Sequence, residues 1–162
     1  MDCFWYRYIY PKNLLLFNNK KLIAPEISRG GNFTLDKNGE FYSTTKIYGY
    51  IKKETTKEKY EFWLGLLNSQ LFWFFMQNTG YVLRGGYYTF KTNYIQPFPI
   101  PDNIPQLTQE KIIELVNEII ELKLQKHNNE ILKKEKELDF LIYSLYDLTE
   151  NEIKVIDNFN HI

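Results

Sequence analysis

Cysteine and histidine are almost absent from this sequence. Its 162 residues include one cysteine, Cys3, and two histidines, His127 and His161. A single cysteine excludes a disulfide framework within the chain and a cysteine-rich zinc site, and it favours a reducing, intracellular location. His127 lies in a polar stretch and His161 near the C-terminus, positions typical of solvated side chains rather than of metal ligands or general bases.

Long hydrophobic runs and the motifs of common enzyme sites are also missing. The most apolar stretch, residues 62–76, is interrupted by Asn68, Ser69 and Gln70, so no membrane span is predicted; no signal peptide is recognisable. There is no Gly-rich phosphate loop, no HExxH and no Asn-Pro-Pro-aromatic motif, with which adenine-N6 methyltransferases hold the target amine. We therefore expect a non-catalytic, cytoplasmic protein without a metal site.

The net charge is zero over the whole chain but not within its two parts. Lysine plus arginine total 20 and so do aspartate plus glutamate, yet residues 1–101 carry 13 basic and 7 acidic residues, a net charge of +6. Residues 102–162 carry 7 and 13, a net charge of −6, and 24 of the 28 aromatic residues lie in the first part. A basic, aromatic first part is compatible with nucleic-acid binding. The two parts could also simply dock on each other.

Hydrophobic periodicity predicts strands and one helix in the first part. Asn38-Gly39 favours a type I′ turn, so residues 33–43 are expected to form a hairpin. Further strands are predicted at residues 14–17, 22–24, 46–51, 87–90 and 94–95, a helix at 58–78 and an extended proline segment at 97–101.

The second part is predicted to be helical. Thr108 is the expected N-cap of a long helix. Ile112, Leu115, Ile119 and Leu122 form a seam suited to packing against another helix, and a capping box at residues 149–152 opens a last short helix. We therefore predict an α+β fold with small antiparallel sheets packed around a central helix in residues 1–101. A helical C-terminal arm follows in residues 102–162.

Two loops carry side chains suited to DNA. Arginine makes bidentate hydrogen bonds to guanine or phosphate, glycine lets the backbone approach a ligand, and lysines contact phosphates. The candidate DNA contacts are Lys20, Lys21, Ser28, Arg29, Asn32, Arg84, Tyr87, Tyr88, Lys91 and Asn93, with Arg29 and Arg84 preferred as base readers. On composition alone, solvated loops with buried tyrosines are the simpler interpretation.

Three motifs in this order resemble a known family. Residues 22–28 (LIAPEIS), followed by Phe33 and Asp36, are similar to the pattern KIIxPxIS…F…D…G. Residues 66–75 (LLNSQLFWFF) are similar to LLNSxLxxFF, and RGGYYTFKTNYI with PFPIP (84–101) is similar to RGG…F…Y(I/L)xxxPIP. Together they resemble the TaqI-like C-terminal specificity domain, the target-recognition region of type IIG restriction–modification enzymes and related adenine-specific DNA methyltransferases. Residues 142–153 are similar to VYxLYxLTxEEI, an ending common after such domains.

The resemblance implies sequence-specific recognition of double-stranded DNA, without catalysis, in a bacterial restriction–modification system. It implies that methyltransferase and nuclease domains are supplied in cis or in trans, together with the S-adenosylmethionine and Mg²⁺ that they need, so no cofactor is expected in this chain. Two alternatives stay open. One is a protein-interaction module or regulator that docks through the helical arm on a methyltransferase partner, or self-associates through it; the other is an enzyme with an unrecognised site.

Overall fold

The computed structural model describes residues 13–43 and 45–159, which form two small antiparallel sheets and a set of helices. The strands are β1 (Lys21–Pro25), β2 (Ile27–Ser28), β3 (Thr34–Asp36), β4 (Ile47–Tyr50), β5 (Val82–Leu83) and β6 (Tyr87–Thr89). The helices are α1 (Leu14–Phe17), α2 (Tyr60–Leu67), α3 (Gln70–Thr79), α4 (Thr92–Ile95), α5 (Gln106–Gln125), α6 (Asn128–Leu145) and α7 (Glu150–Phe159). The predicted α+β fold with a helical C-terminal part is confirmed.

The first sheet has the strand order β3-β1-β4, with β1 antiparallel to both neighbours. Leu22 and Ala24 of β1 are buried, and they share one face of the sheet because side chains alternate along a strand. The Tyr50 hydroxyl of β4 donates to the Phe90 carbonyl over 2.9 Å. This bond connects the first sheet to the end of the second. The strands predicted at residues 22–24 and 46–51 are confirmed.

The second sheet has the order β2-β6-β5, and β2 follows β1 after a single residue, Glu26. Tyr88 of β6 packs edge-on against Trp73 of α3, with ring centroids 5.2 Å apart. This contact fixes the sheet against the helix. The predicted strand at 87–90 is confirmed, but the strand predicted at 94–95 is wrong, since these residues lie in α4.

The central helix predicted at residues 58–78 is two helices, α2 and α3. The Ser69 hydroxyl donates to the Leu66 carbonyl over 2.7 Å and accepts the N–H of Phe72 over 3.2 Å. Ser69 is therefore the N-cap of α3, in the role that serine commonly has. Apolar residues of both helices face one core, which made the periodicity look continuous.

Aromatic rings from several elements meet in the core. Phe72 lies 6.0 Å from Phe33 and 5.1 Å from Phe98 between ring centroids, and Phe33 lies 6.0 Å from Phe90. Phe62, Phe72 and Phe90 are fully buried. The proline segment is thus anchored in the same core as the sheets and α3.

Helices α5 and α6 pack side by side, and α5 also lies against α2. A Cβ on Gly65 of α2 would lie 2.8 Å from Val116 Cγ2 and 3.3 Å from Ile112 Cγ2, so glycine permits this close approach. Most of the predicted α5 seam is buried, namely Ile112, Leu115 and Ile119. The expected N-cap is wrong: the helix begins at Gln106 with Pro105 as its N-cap, and Thr108 lies inside it.

Two further predictions near the N-terminal end of the described chain are wrong. Residues 14–17 form the helix α1 instead of a strand. The hairpin at 33–43 does not form, because the Asp36 carboxylate accepts the N–H groups of Glu40 over 3.1 Å and Phe41 over 3.0 Å. Asn38 does not have the positive φ that a type I′ turn requires; of the two central residues, Gly39 alone has it, with φ +70°.

The last helix begins at the predicted capping box. Glu152 Oε2 accepts the Thr149 N–H over 2.8 Å, and the Glu152 N–H donates to Thr149 Oγ1 over 3.4 Å. Phe159 of α7 packs edge-on against Phe74 of α3 at 5.2 Å. The capping box therefore sets the start of α7, which packs against α3.

Asp139 of α6 contacts the N-terminus of α3. Its carboxylate accepts the Gln70 N–H over 2.9 Å. Burial raises the pKa of Asp139 to about 7; this hydrogen bond opposes the shift, and the charges of Asp157 and Glu135 add to it. A carboxyl group that titrates near neutral pH thus joins two helices.

Candidate nucleic-acid interface

The second sheet brings the two Arg-Gly-Gly loops together. Antiparallel pairing places Ser28 of β2 opposite Tyr88 of β6. The residue after Ser28, Arg29, therefore lies beside the turn that joins β5 to β6, which consists of Arg84, Gly85 and Gly86. The loops are 55 residues apart in the sequence, from Arg29 to Arg84, and their proximity follows from the strand register. We call Arg29, Arg84 and Tyr87, with the Gly85-Gly86 turn, the arginine cluster.

The Arg29 side chain is occupied within the arginine cluster. Its Nη2 donates to the Gly85 carbonyl, and its guanidinium lies 5.0 Å from the centroid of the Tyr87 ring. A guanidinium over an aromatic face is attracted by the ring quadrupole. Arg29 is thus a bridge between two loops.

Arg84 stands at the tip of the β5–β6 hairpin and is exposed. Within residues 13–43 and 45–159, its guanidinium has no ion-pair or hydrogen-bond partner. Its five N–H donors are therefore available for an external acceptor such as a base edge or a phosphate.

Tyr87 and Tyr88 point to opposite sides of the sheet, as neighbours on a strand must. Tyr87 is 45% exposed and covers Arg29. Tyr88 is half-buried, and its hydroxyl lies 3.4 Å from the Gln77 carbonyl, to which it donates. Tyr88 therefore packs against α3, and its contact with DNA stays a prediction.

Ser28 and Asn32 shape the first loop from within. Ser28 is 4% exposed and its hydroxyl accepts from Asn32 Nδ2. The same amide group donates to the Arg29 carbonyl over 3.0 Å, and Asn32 itself is exposed with a left-handed φ of +49°. The expected direct contact of Ser28 with DNA is not kept, because burial removes its hydroxyl from the surface.

Asn68 holds this loop against the helices, a role that the sequence reasoning missed. Its Oδ1 accepts the Phe33 N–H over 2.8 Å, and its Nδ2 donates to the carbonyls of Phe33 and Leu64 over 3.0 Å each. A Cβ on Gly31 would lie 2.4 Å from the Leu67 carbonyl oxygen, so the loop backbone lies directly on the end of α2. The polar interruption after Leu67 in an otherwise apolar stretch was the available signal.

Two lysines extend the positive charge of this region. Lys91 and Lys46 each place Nζ 3.7 Å from the Glu26 carboxylate, and their side chains are 53% and 78% exposed. The Glu26 side chain is only 16% exposed, whereas both ammonium groups lie at the surface and are accessible to an external anion. Asn93 is exposed on α4 next to Lys91. Lys46 was missed because only the pairing of β4 with β1 brings it to Glu26.

The adjacent lysines Lys20 and Lys21 differ in exposure and in hydrogen-bond partners. Lys20 forms a 2.9 Å ion pair with Glu61 and is partly exposed, at the end of β1 away from Arg29. Lys21 is 1% exposed, donates to the Phe17 carbonyl over 2.6 Å and pairs with Asp36. The expectation that Lys21 contacts phosphate is not kept, since its ammonium group is enclosed.

The Lys21–Asp36 pair holds β1 against β3, where the two residues are directly opposite. Burial alone would raise the pKa of Asp36, but the hydrogen bond from Lys21 and those from the Phe41 and Glu40 amides outweigh it and lower the pKa to about 2. Asp36 is therefore ionised and fully bonded.

Within residues 13–43 and 45–159, no group of three or more His, Cys, Asp or Glu side chains is placed to hold a metal ion. No helix in this part of the chain is long and apolar enough to cross a membrane. Cys3 and His161 lie outside the described residues.

Comparison with known proteins agrees with the motifs. A family model described as TaqI-like C-terminal specificity domain matches residues 5–100. This range contains both sheets, helices α1 to α4 and the arginine cluster. A search of curated proteins found no match.

Proposed function

The chain belongs to the family of TaqI-like C-terminal specificity domains, and on this premise we propose that it reads a short duplex DNA sequence for a restriction–modification methyltransferase. The family supports a role in target recognition. The observation that carries the proposal is the arginine cluster, in which Arg84 is exposed at a hairpin tip and its guanidinium has no hydrogen-bond partner among the described residues. Lys46 and Lys91 add exposed positive charge at the other end of the same sheet, where both contact Glu26.

The proposed binding mode places the β5–β6 hairpin in the major groove, which is wide enough for a two-stranded ribbon. Arg84 would make the bidentate contact with guanine O6 and N7 that is the commonest specific arginine contact. Lys46 and Lys91 would contact phosphates, which position the protein without reading sequence. Asn32 and Asn93, both exposed, are secondary candidates for base or phosphate contacts.

In this proposal the chain contributes recognition and not chemistry. Methyl transfer or cleavage is assigned to methyltransferase and nuclease domains in cis or in trans, which would bind S-adenosylmethionine and Mg²⁺. The proposed setting is a type IIG or related bacterial enzyme in the cytoplasm. A nicking assay with divalent metal tests the non-catalytic assignment, and we expect no cleavage by this chain alone.

The test is selection from a randomised duplex library, with affinity then measured against salt. The wild type should enrich a short motif, and its affinity should fall linearly with the logarithm of salt concentration. Arg84→Ala should lose about 1–3 kcal/mol of specific binding and relax one base position. Lys136→Ala is the matched control, since it removes one exposed positive charge on α6, and it should leave the motif unchanged.

Two outcomes would contradict the proposal. Wild-type chain that does not bind duplex DNA even at low salt would leave no role for the arginine cluster as a reader. Enrichment of the same motif with equal affinity by Arg84→Ala would remove Arg84 as the base contact.

A second candidate function is docking on a methyltransferase, or on a second copy, through the helical arm. The observation in its favour is the exposure of large apolar side chains on α5 and α6, with Leu124 79%, Leu132 59% and Phe140 58% exposed. Sedimentation over a concentration series should reveal self-association if a second copy covers these residues, and Leu132→Lys should abolish it.

A further inference from the structure

The turn that carries Arg84 is short, exposed and rich in glycine. Residues 84–87 are all exposed. Gly85 and Gly86 have φ of +83° and +75°, where glycine is favoured but also brings the largest backbone freedom. The Gly86 N–H donates to the Leu83 carbonyl over 3.2 Å, and the short pairing of Leu83 with Tyr87 closes the hairpin below the turn. A base reader on such a turn loses affinity to the entropy of ordering.

Arg29 provides a second, external constraint on this turn. Its Nη2 donates to the carbonyl of Gly85, at the centre of the turn. Its guanidinium also lies on the ring of Tyr87, the first residue after the turn. A Cβ on Gly86 would lie 3.4 Å from Arg29 Nη2, which shows how closely the guanidinium follows the turn backbone.

Arg29 is in turn anchored to the helices. The Asn32 amide donates to the Arg29 carbonyl over 3.0 Å, and the next residue, Phe33, is held through both backbone groups by Asn68. A continuous series of bonds therefore leads from the end of α2, through the first loop and Arg29, to the turn that carries Arg84.

We propose that Arg29 is a positioning residue for DNA recognition: it holds the Gly85-Gly86 turn so that Arg84 meets the base edge, and it does not read a base itself. This inference rests on the proposed function. The sequence predicted that Arg29 and Arg84 both read bases. Here Arg84 reads a base and Arg29 holds the turn that carries it. The bonds of Arg29 to the turn and to Tyr87 exist without DNA, whereas those of Arg84 remain to be made.

A double-mutant cycle separates support from reading. Arg29→Ala should weaken binding to the selected motif about tenfold, while binding to unrelated duplex changes about threefold or less. In an Arg84→Ala background, Arg29→Ala should have no further effect on the preference for the motif. Arg29→Lys should restore most of the preference, because a lysine can donate to the Gly85 carbonyl and contact the Tyr87 ring.

An independent base contact by Arg29 predicts the opposite results. The effects of Arg29→Ala and Arg84→Ala would then multiply, and each would relax a different base position. Arg29→Lys would be about as damaging as Arg29→Ala, because lysine lacks the planar fork for guanine. Either of these results overturns the inference.

A measurement on DNA-free protein distinguishes failure of this inference from failure of the proposed function. The heteronuclear NOE of the Gly85 and Gly86 amides should fall in Arg29→Ala and stay at the wild-type value in Arg84→Ala. Unchanged NOE values in Arg29→Ala would overturn the inference even if the wild type binds DNA. Absence of DNA binding by the wild type would overturn the proposed function, and the NOE comparison would still test whether Arg29 holds the turn.

Discussion

Replacing Lys21 and Asp36, singly and together, tests the conclusion that Lys21 is a structural residue. Both side chains are almost completely buried, at 2% and 1% exposure. Asp36→Asn leaves an ammonium group inside the protein without a counter-charge, and breaking a buried pair in this way costs about 3–5 kcal/mol. Lys21→Met should cost less, about 2–4 kcal/mol, because two backbone amides still compensate the carboxylate.

The double variant is the informative one. Lys21→Met with Asp36→Asn has no buried charge. Its free energy of unfolding should therefore fall by about 2–3 kcal/mol less than the sum of the losses in the two single variants. Lys20→Met is the matched control. It removes the neighbouring, partly exposed lysine and should cost about 1 kcal/mol or less.

The same pair predicts a pH dependence with a definite sign. The pKa of Asp36 is lowered from its ordinary value of 3.8 to about 2 in the folded protein. The stabilisation is therefore complete above pH 4 and is lost as the pH falls towards 2. It amounts to about 2 kcal/mol.

Urea unfolding followed by tryptophan fluorescence measures all of these differences, at pH 7 and across pH 2 to 5. The double variant should also keep the wild-type salt dependence of DNA binding. Strictly additive single effects would refute the buried pair. A Lys21→Met variant that stays fully stable but loses part of the salt dependence would restore Lys21 as a phosphate contact.

Two further predictions concern the helices that support the site. Asn68→Ala should destabilise the fold by about 2–3 kcal/mol, because both backbone groups of Phe33 lose their partner; a urea midpoint equal to that of the wild type would contradict this role. Asp139 has a raised pKa of about 7 when folded, so its contribution to stability declines as the pH rises from about 4 to 7. Asp139→Asn should therefore gain stability relative to the wild type at pH 8 but not at pH 4, on the order of 4 kcal/mol. An equal difference at both pH values would show that the carboxyl group does not titrate there.

Two of the failed local predictions share a physical cause. The Asn38-Gly39 pair favours a hairpin turn, but the Asp36 carboxylate takes the amides that a following strand would use. The apolar spacing at residues 58–78 predicts one helix, but Ser69 and Asn68 use their side chains to end one helix and begin another. In both cases a short polar side chain competes with regular backbone hydrogen bonding. The spacing of hydrophobic residues gives no sign of that competition.

The candidate DNA contacts show a similar limit: composition predicted some of the exposed side chains but could not tell exposed from buried neighbours. Loop composition placed Arg29, Arg84 and Lys91 among the candidates, and all three side chains are at the surface. It could not separate Lys20 from Lys21, since β1 begins at Lys21 and only its pairing with β3 places Lys21 beside Asp36. Tyr87 and Tyr88 were indistinguishable because neighbours on a strand point to opposite faces and only the packing shows which face is covered.

The fold class, the helical second part, the capping box at Thr149 and the family could all be predicted from the sequence, because these depend on patterns local to each segment. Three facts come from the tertiary structure: the two Arg-Gly-Gly loops lie side by side, Arg29 is bonded to the turn while Arg84 has no such bond within the described residues, and Lys21 is enclosed. These facts depend on the pairing of β2 with β6 and of β1 with β3. Strand pairing between distant segments is set by the whole packed core, so it cannot be read from the loops that it brings together.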